Sequence, residues 1–349
     1  MKRILFLFLL CTVLFLAADC KHEPPTKEKP PKPDSTSQEF EITTQELGVN
    51  GPTSFLKDVW IFSPQNIWAV GDVYMPLDSQ GLTYKEYNIV QGNGSKWEGK
   101  GRFFNSNGIE SIWALDSGTI YLADGLVIRY KNGEFTRFDF TQMLFENGQS
   151  IDKIWGTSEQ NIWGAGRNGM VVHYDGSQWR KVDFPLGWNF RSITGSKMTG
   201  IAYATAESLG IYAVLRLSID SISFLYHGNR LTTYDLQNLK MLNENELWFT
   251  GNPIRRYQLA KKIFQELYEE TNGYFTQVMG VASEYDVYFW GDDFSNQRLT
   301  HYNGKRFTQI VLPYRGYVFE FGAYAITNLA LMVAQSDNKA YIVTVKRKQ

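Results

Sequence analysis

The stretch IWGTSEQNIWGAGRNGMVVHYDGSQW, which runs from Ile154 to Trp179, decides the fold. Its first apolar run contains Ile154, its second contains Ile162, and the turn-forming residues 158–161 separate them. A third run, VVHY, ends at Asp175-Gly176, a pair typical of a hairpin turn, and a further strand opens after it. The stretch therefore predicts four short antiparallel strands in one sheet.

A pair of apolar anchors eight residues apart recurs seven times along the chain. The pairs are Val59/Ile67, Ile112/Ile120, Ile154/Ile162, Ile193/Ile201, Leu239/Leu247, Met279/Val287 and Phe321/Leu329. The second anchors are separated by 53, 42, 39, 46, 40 and 42 residues. Periods of about 40 to 50 residues built from four short strands are typical of a β-propeller, in which each repeat is one blade of a ring. We predict an all-β, seven-bladed β-propeller of four-stranded antiparallel blades over residues 39–349.

The two ends of the predicted domain complement each other. The last unit supplies only three strands, around Val318–Tyr324, Leu329–Gln335 and Ala340–Lys346, before the chain stops. The segment Glu39–Leu47 precedes the first unit and is similar to the outer strands of other units. We predict that this N-terminal strand completes the last blade and closes the ring.

Tight turns are expected between the third and fourth strands of four units. Each contains Asn-Gly or Asp-Gly, and glycine supplies the positive φ that a two-residue hairpin turn requires. These pairs are Asn93-Gly94, Asn132-Gly133, Asp175-Gly176 and Asn303-Gly304. The fourth unit is the most divergent, with Ala202 where other units carry Trp or Tyr.

Residues 1–19 have the pattern of a signal peptide. Lys2 and Arg3 precede an apolar run, Ile4–Ala18, that is short for a membrane span. The sequence Leu16-Ala17-Ala18-Asp19-Cys20 resembles the lipobox of bacterial lipoproteins, although Asp19 stands where that family prefers a small residue. The resemblance implies cleavage and lipidation at Cys20; the alternatives are secretion after Ala18 or an uncleaved anchor.

Residues 20–38 are predicted to be a lipidated cysteine followed by a tether. Lys21–Gln38 contains five prolines, alternating charges and no aromatic residue, a composition that favours an extended, solvated chain. The two cysteines of the chain, Cys11 and Cys20, both precede the repeats, so no disulfide is expected in the globular part. We expect an exported protein anchored to a cell-envelope membrane through Cys20, periplasmic or surface-exposed, with simple secretion as the alternative.

The repeats resemble those of exported bacterial lipoproteins with the pattern W-G-x-S-x-x-D-I-W-A-V-G-x-x-G-x-I-x-H-Y-D-G-x-x-W. The match is close over Trp155–Trp179 and partial over Trp60–Asp72 and Asn296–Phe307. That family is one of predicted propellers, mostly of unknown function. The resemblance implies a fold and an exported location, and no active site.

Composition and motifs exclude several classes of function. The formal net charge is −1, and no dense Lys/Arg cluster offers the basic face that nucleic acid requires. Of the four histidines, His173 and His301 precede equivalent turns, which indicates a packing role at a repeated position. No metal-ligand spacing, nucleophile elbow or phosphate loop occurs. We expect a monomer that has neither a metal site nor a cofactor.

Aromatic residues and long loops are the candidate binding features. The position directly after the first anchor, which we call the tryptophan slot, holds Trp60, Trp113 and Trp155 in three consecutive units. The other units carry Thr194, Lys240, Gly280 and Gly322 there. These tryptophans either fill gaps between blades or form an aromatic arc at one opening. Two insertions, Val73–Lys85 and Tyr226–Tyr234, mix exposed-looking apolar and polar residues. The predicted binding residues are Trp60, Trp113, Trp155, Tyr74, Met75 and Tyr84.

Two classes of function remain open at this point. The first is a binding or scaffold lipoprotein that recognises a protein or a glycan through one rim of the ring. The second is a hydrolase or lyase acting on glycans, since Asp72, Asp124 and Asp292-Asp293 end second strands and could place carboxylates around a rim. Turn formation is the alternative interpretation of these aspartates. We predict no catalytic residues.

Overall fold

The computed structural model describes residues 37–103, 108–141, 143, 145–146, 148–228, 236–269, 275–292, 297–312 and 319–348. The predictions for the signal peptide, Cys20 and most of the tether fall on residues 1–36, outside the described residues. Within the described part, all strands belong to seven four-stranded antiparallel sheets. None of these residues forms a helix long and apolar enough to cross a membrane. The predicted all-β, seven-bladed propeller is confirmed.

The strands follow the order of the repeats. A first strand, β1 (Phe40–Leu47), precedes the blades. Blade 1 contains β2 (Phe55–Ser63), β3 (Asn66–Pro76), β4 (Tyr84–Gly92) and β5 (Trp97–Gly101). Blade 2 contains β6 (Ser111–Asp116), β7 (Thr119–Ala123), β8 (Val127–Lys131) and β9 (Glu134–Arg137). Blade 3 contains β10 (Ser150–Ser158), β11 (Asn161–Arg167), β12 (Val171–Tyr174) and β13 (Trp179–Lys181). Blade 4 contains β14 (Asn189–Gly195), β15 (Ala202–Ser208), β16 (Ile211–Ser218) and β17 (Ser221–Gly228). Blade 5 contains β18 (Leu239–Asn243), β19 (Glu246–Phe249), β20 (Ile254–Gln258) and β21 (Ile263–Tyr268). Blade 6 contains β22 (Phe275–Ser283), β23 (Asp286–Asp292), β24 (Gln297–Tyr302) and β25 (Phe307–Val311). Blade 7 contains β26 (Phe319–Ile326), β27 (Leu329–Ser336) and β28 (Lys339–Arg347).

The first strand of each blade is the innermost, and these seven strands form the ring. Each innermost strand contacts those of the two neighbouring blades, and β2 of blade 1 contacts β26 of blade 7. The buried apolar residues lie mainly between adjacent blades, as in the cluster that joins Tyr288 and Trp290 of blade 6 to Ala330 and Val343 of blade 7. Burial on both sheet faces therefore explains the apolar strands seen in the sequence.

The N-terminal strand closes the ring, as predicted. β1 pairs antiparallel with β28, from Phe40 opposite Arg347 to Leu47 opposite Ala340, and the last sheet has the order β1-β28-β27-β26. Without β1, the backbone donors and acceptors of β28 would form an open sheet edge. The two ends of the described chain are therefore joined by eight facing residue pairs.

A buried polar network reinforces this closure. The Nε2 atom of His301 lies 2.8 Å from Oδ1 of Asp286, to which the Arg347 guanidinium also donates a hydrogen bond. The other ring nitrogen, Nδ1, lies 2.7 Å from Oε1 of Gln38. Residues at both ends of the chain thus meet on blade 6. A charge buried this deeply is stable only while its partners are present.

Three of the four glycine turns differ from the predicted two-residue type. Asn132-Gly133 is a two-residue turn with φ of 51° and 97°. In the other three, four residues separate the paired strand ends, as between Tyr174 and Trp179. There the Asx side chain shapes the loop, since Oδ1 of Asp175 accepts hydrogen bonds from N–H of Ser177 and Gln178 at 2.9 and 3.0 Å. The side chain, rather than glycine alone, therefore selects the longer loop.

A hydrogen bond explains the recurring pair in which Asn stands two residues before Trp. The indole N–H groups of Trp68 and Trp163 donate to the Oδ1 atoms of Asn66 and Asn161 at 3.2 and 3.1 Å. Asn161 also lies 2.8 Å from Nε2 of His173 on the next strand. The equivalent contact in blade 6 is the one between Asp286 and His301. The two histidines thus occupy equivalent positions, and the Nε2 atom of each contacts a side chain at the start of the second strand of its own blade.

Candidate functional site

The innermost strands surround a central channel with two openings. We define the front face as the one at which the innermost strands begin and the back face as the one at which they end. Because the strands are antiparallel, the connection between the second and third strands of a blade lies on the front face. The first described residues, just before β1, lie on the back face, since Phe40 is paired with Arg347 at the end of β28. The start of the described chain and the β3–β4 hairpin are therefore on opposite faces.

The front opening is a cavity of about 650 Å³ with charged walls. Its acidic and basic side chains pair across neighbouring strands: Lys57 with Glu110 (3.7 Å), Arg167 with Asp152 (2.9 Å) and Arg191 with Glu207 (2.8 Å). These ion pairs lie at the start of the innermost strands. They hold the rim of the opening in place and leave little net charge on it.

The predicted binding loop is a rigid hairpin at the front face. β3 and β4 extend beyond the blade, so that Met75 faces Lys85 and Pro76 faces Tyr84. The rings of Tyr74 and Tyr84 meet edge to face with centroids 5.6 Å apart. Tyr84 is 46% exposed. Tyr74 and Tyr84 thus contact each other on the hairpin, whereas Met75 packs against the apolar cluster between blades 1 and 7. The role of these three residues in binding stays a prediction.

A single aspartate organises the tip of this hairpin. The Asp78 carboxylate accepts hydrogen bonds from the Thr83 hydroxyl and from backbone N–H groups of Thr83, Leu82 and Gln80. These bonds, that of the Thr83 hydroxyl first, lower the pKa of Asp78 to about 2. The turn projects Leu77 and Leu82, which are 63% and 75% exposed. Two large apolar side chains are therefore held in a fixed position in solvent.

The three tryptophans lie farther along the innermost strands, away from the hairpin. Trp113 and Trp155 are 5% and 8% exposed, and Trp60 is half-buried. Each packs towards the next blade: a Cβ atom added at Gly156 or Gly195 would lie 3.0 Å from the Trp113 ring or 2.4 Å from the Trp155 ring. This placement fits the packing interpretation. Their role in binding stays a prediction, and they do not form one rim with the hairpin.

The strand register corrects the sequence alignment in two blades. In blade 7, Tyr324 faces Leu331, at the place where Trp60 faces Trp68 in blade 1, so Tyr324 rather than Gly322 occupies the tryptophan slot. In blade 4, Tyr203 rather than Ala202 faces Thr194. The turns between the first two strands are one residue shorter in blade 7 and one longer in blade 4, which an ungapped comparison misses.

Four adjacent blades consequently line one side of the channel with aromatic residues. The Tyr324 and Trp60 rings lie 4.3 Å apart, and Trp113 and Trp155 follow in the next two blades. On the opposite side the slot holds Thr194, Lys240 and Gly280. This asymmetry leaves a cavity of about 290 Å³ at the back face.

The sequence interpretation missed three charged residues inside the channel. Asp58, Lys153 and Lys240 line a narrow cavity of about 80 Å³ between the two openings. They belong to the innermost strands β2, β10 and β18. One signal was present in the sequence, because Lys240 stands where three other units carry tryptophan, a position that a sealed apolar core would rarely give to lysine.

The acidic residues expected at strand ends have different surroundings. Asp124 forms an ion pair with Arg137, and its carboxylate also accepts a hydrogen bond from the backbone N–H of Leu126 at 3.4 Å. Asp72 lies beside Glu86, which accepts a hydrogen bond from Arg102 at 2.6 Å. Burial, together with the negative charge of Glu86, raises the pKa of Asp72 to about 6. Asp72 therefore carries a proton at mildly acidic pH.

The Asp72→Asn variant is expected to change the pH dependence of stability. Because the pKa of Asp72 is higher in the folded state than in the unfolded chain, wild-type stability falls as pH rises from about 4 to 6. The asparagine amide can donate to Glu86 at any pH, so the variant should gain about 1 to 2 kcal/mol over wild type at pH 8 and nothing at pH 4. Urea unfolding at both pH values measures this; parallel curves for the two proteins would contradict it.

Two further sequence predictions concern metal sites and the second long loop. Within the described ranges, no group of three or more His, Cys, Asp and Glu side chains is placed to hold a metal ion. The insertion Tyr226–Tyr234 lies outside the described residues from position 229 onward, and Asp293 is also outside them.

Comparisons with known proteins extend the fold result. No family model matches the sequence, and no curated protein matches it. Among solved structures, "YCF48 bound to D1 peptide" is similar at a TM-score of 0.64 and 12% identity, covering 90% of this chain and 98% of that one. A streptogramin B lyase is similar at a TM-score of 0.61 and 13% identity, covering 87% and 98%.

A third similar structure is the extracellular domain of a putative one-component system from B. thetaiotaomicron. Its TM-score is 0.61 at 10% identity, and the similarity covers 89% of this chain and 40% of that one. The three proteins are a peptide complex, a lyase and an extracellular domain, so they share an architecture and differ in function. At these identities the likeness establishes the fold alone: the chain is a seven-bladed β-propeller.

Proposed function

We propose that this protein is an exported propeller, anchored to the cell envelope through Cys20, that binds another protein through its front face. The observation that carries the proposal is the β3–β4 hairpin, whose tip is fixed by Asp78 and exposes Leu77 and Leu82. Exposed leucines cost solvation free energy, and a rigid tip loses little conformational entropy on binding. Such a tip suits insertion into an apolar groove of a partner.

A protein partner fits this surface better than a glycan. Glycans stack on exposed flat aromatic rings, whereas the tryptophans of this chain are mostly enclosed between blades. Aliphatic side chains at a protruding tip make contacts with other apolar side chains instead. The peptide-bound propeller among the similar structures gives an example of the same fold with a polypeptide ligand.

Catalysis on a glycan is the alternative from the sequence, and the front opening does not favour it. Glu110, Asp152 and Glu207 are each engaged by a basic side chain of the same rim. A general acid or base must instead be free to exchange a proton with a substrate. These ion pairs support a structural role for the rim.

The face on which the described chain begins supports an outward-facing binding surface. The described chain begins beside His301 on the back face, and the residues before it lead to Cys20. An acyl chain on Cys20 would therefore place the membrane nearer the back face and leave the hairpin accessible. Labelling with an acyl-chain analogue tests the anchor: wild type should be labelled and Cys20→Ala should not, and equal labelling would contradict anchoring at this residue.

Replacing both tip leucines should weaken binding of the partner. When used as bait in an envelope extract, the double variant Leu77→Asn/Leu82→Asn should retain at least about tenfold less of the partner protein than wild type does. The reason is that two apolar contacts buried in the complex are lost. Met198→Asn is the matched control, since Met198 is 82% exposed but lies on the back face. Equal retention by all three baits, at equal folded stability, would contradict the proposal.

A further inference from the structure

The interior of the channel carries more positive than negative charge. Asp58 on β2 and Lys153 on β10 occupy equivalent positions in blades 1 and 3. In each case the residue directly follows a β-bulge of the innermost strand. Lys240 lies one level nearer the back face, in the tryptophan slot of blade 5. All three line the same narrow cavity. Lys57 and Arg191 also line this cavity, but each is paired with a glutamate of the front opening. In addition to these pairs, the channel holds the ammonium groups of Lys153 and Lys240 and the carboxylate of Asp58.

The carboxylate of Asp58 is already occupied by backbone donors. Its Oδ1 accepts a hydrogen bond from N–H of Val59 at 2.9 Å, and its Oδ2 accepts one from N–H of Ile112 at 3.1 Å. These bonds fasten β2 to β6 and fix the orientation of the carboxylate. Asp58 thus serves as a clamp between blades 1 and 2 and offsets only part of the lysine charge.

Lys153 and Lys240 have no ion-pair partner within 4 Å among the described side chains, in contrast to Lys57, Arg167 and Arg191 of the front opening. Burial lowers the pKa of Lys240, the charge of Asp58 acts in the opposite direction, and the charge of Lys153 lowers it further. Lys153 and Lys240 are therefore near enough to repel each other. An additional anion between them would relieve this repulsion.

The space beside Lys240 suits an apolar group attached to such an anion. The back cavity of about 290 Å³ shares Trp155, Lys240 and Ala323 with the narrow cavity. Its wall includes Tyr324 on the aromatic side and Met241 and Val281 on the opposite side, and Lys197, Asn243 and Glu244 are its polar members. The Glu244 carboxylate accepts a hydrogen bond from the Ser196 hydroxyl. Ligand sites of this size are lined mainly by apolar residues, with a few polar groups that fix orientation.

We propose that the channel binds a small organic carboxylate, with its carboxylate group between Lys153 and Lys240 and its apolar body against Trp155 and Tyr324 in the back cavity. This site is separate from the protein-binding hairpin and does not depend on it. A charge-assisted hydrogen bond from Lys240 would fix the carboxylate, and ring contacts would hold the body.

Benzoate is a suitable probe, with benzamide as its neutral counterpart and acetate as the carboxylate without a ring. By isothermal titration calorimetry, wild type should bind benzoate with a Kd of about 1 mM, and benzamide and acetate at least about tenfold more weakly. Lys240→Met keeps the length of the side chain and removes the charge, so it should lose benzoate binding at least about tenfold. Lys96→Met, at an exposed turn, is the control and should bind as wild type does.

Two comparisons make the result decisive. Lys153→Met provides a second test of the cluster in case Lys240→Met does not fold, and it should also weaken benzoate. The Leu77→Asn/Leu82→Asn variant should bind benzoate normally, which separates this site from the proposed protein contact. Absence of benzoate binding to wild type, or equal binding by wild type and a folded lysine variant, would overturn the proposal and leave the lysines as a structural charge network.

Discussion

Deletion of residues 1–47 is expected to leave the protein unable to close its ring and prone to aggregation. The deletion removes β1, which supplies the fourth strand of blade 7 and all eight of its facing pairs with β28. It also removes Gln38 from the Asp286–His301–Arg347 network and the partly buried Phe40 and Ile42 from the core between blades 6 and 7. The exposed edge of β28 would then pair with other chains.

Deletion of residues 1–36 is the matched control, because it keeps β1 and Gln38. We expect this shorter deletion to melt within about 2 °C of the full chain, and the longer one to lose at least about 5 kcal/mol of stability or to fail to fold. Thermal unfolding and size-exclusion chromatography measure both effects. Equal melting temperatures and equally monomeric elution for the two deletions would show that the ring does not need β1.

The Trp113→Ala variant is expected to lose about 3 to 5 kcal/mol of stability. Trp113 is 5% exposed, and its ring fills the gap to blade 3 above Gly156. Removing the ring leaves a cavity that a rigid blade interface cannot fill by relaxation. Chemical unfolding of the two proteins gives this difference directly.

Trp60→Ala is the informative comparison, because Trp60 is half-buried at the equivalent position. It should cost less stability than Trp113→Ala. The outcome also separates the two sequence interpretations of this slot. A loss below about 1 kcal/mol for Trp113→Ala would favour the exposed aromatic arc over packing between blades.

The architecture could be predicted because its signals are local and repeated. Turn residues, apolar anchors and β-branched or aromatic runs recur at blade-length intervals, so errors in one unit are corrected by the others. Ring closure followed from counting strands: the last unit lacked one, and Glu39–Leu47 had the pattern of an outer strand. Neither inference required knowledge of which side chains touch.

The register and the site depended on details that a fixed spacing does not capture. One residue gained or lost in a turn shifted the slot to Tyr203 in blade 4 and to Tyr324 in blade 7. The sequence also did not show that the long hairpin and the tryptophans lie at different levels of the ring. Leu77 and Leu82 were hidden in a loop whose order depends on the side chain of Asp78.

The channel charges could not be predicted for a related reason. Asp58, Lys153 and Lys240 come from three blades that are far apart in sequence, and only ring closure places them in one cavity. A single lysine within an apolar strand is otherwise ambiguous, since its stem can be buried while its ammonium group reaches solvent. The grouping of the three charges, rather than any one residue, carries the functional suggestion.

Photo-crosslinking in living cells tests the central claim most directly. A photoreactive amino acid placed at Leu82 on the front-face hairpin is compared with the same group at Met198 on the back face, both highly exposed. The protein-binding proposal predicts a covalent adduct with another envelope protein from position 82 and none of that size from position 198. No adduct from position 82, or the same adduct from both positions, would contradict recognition through the front face.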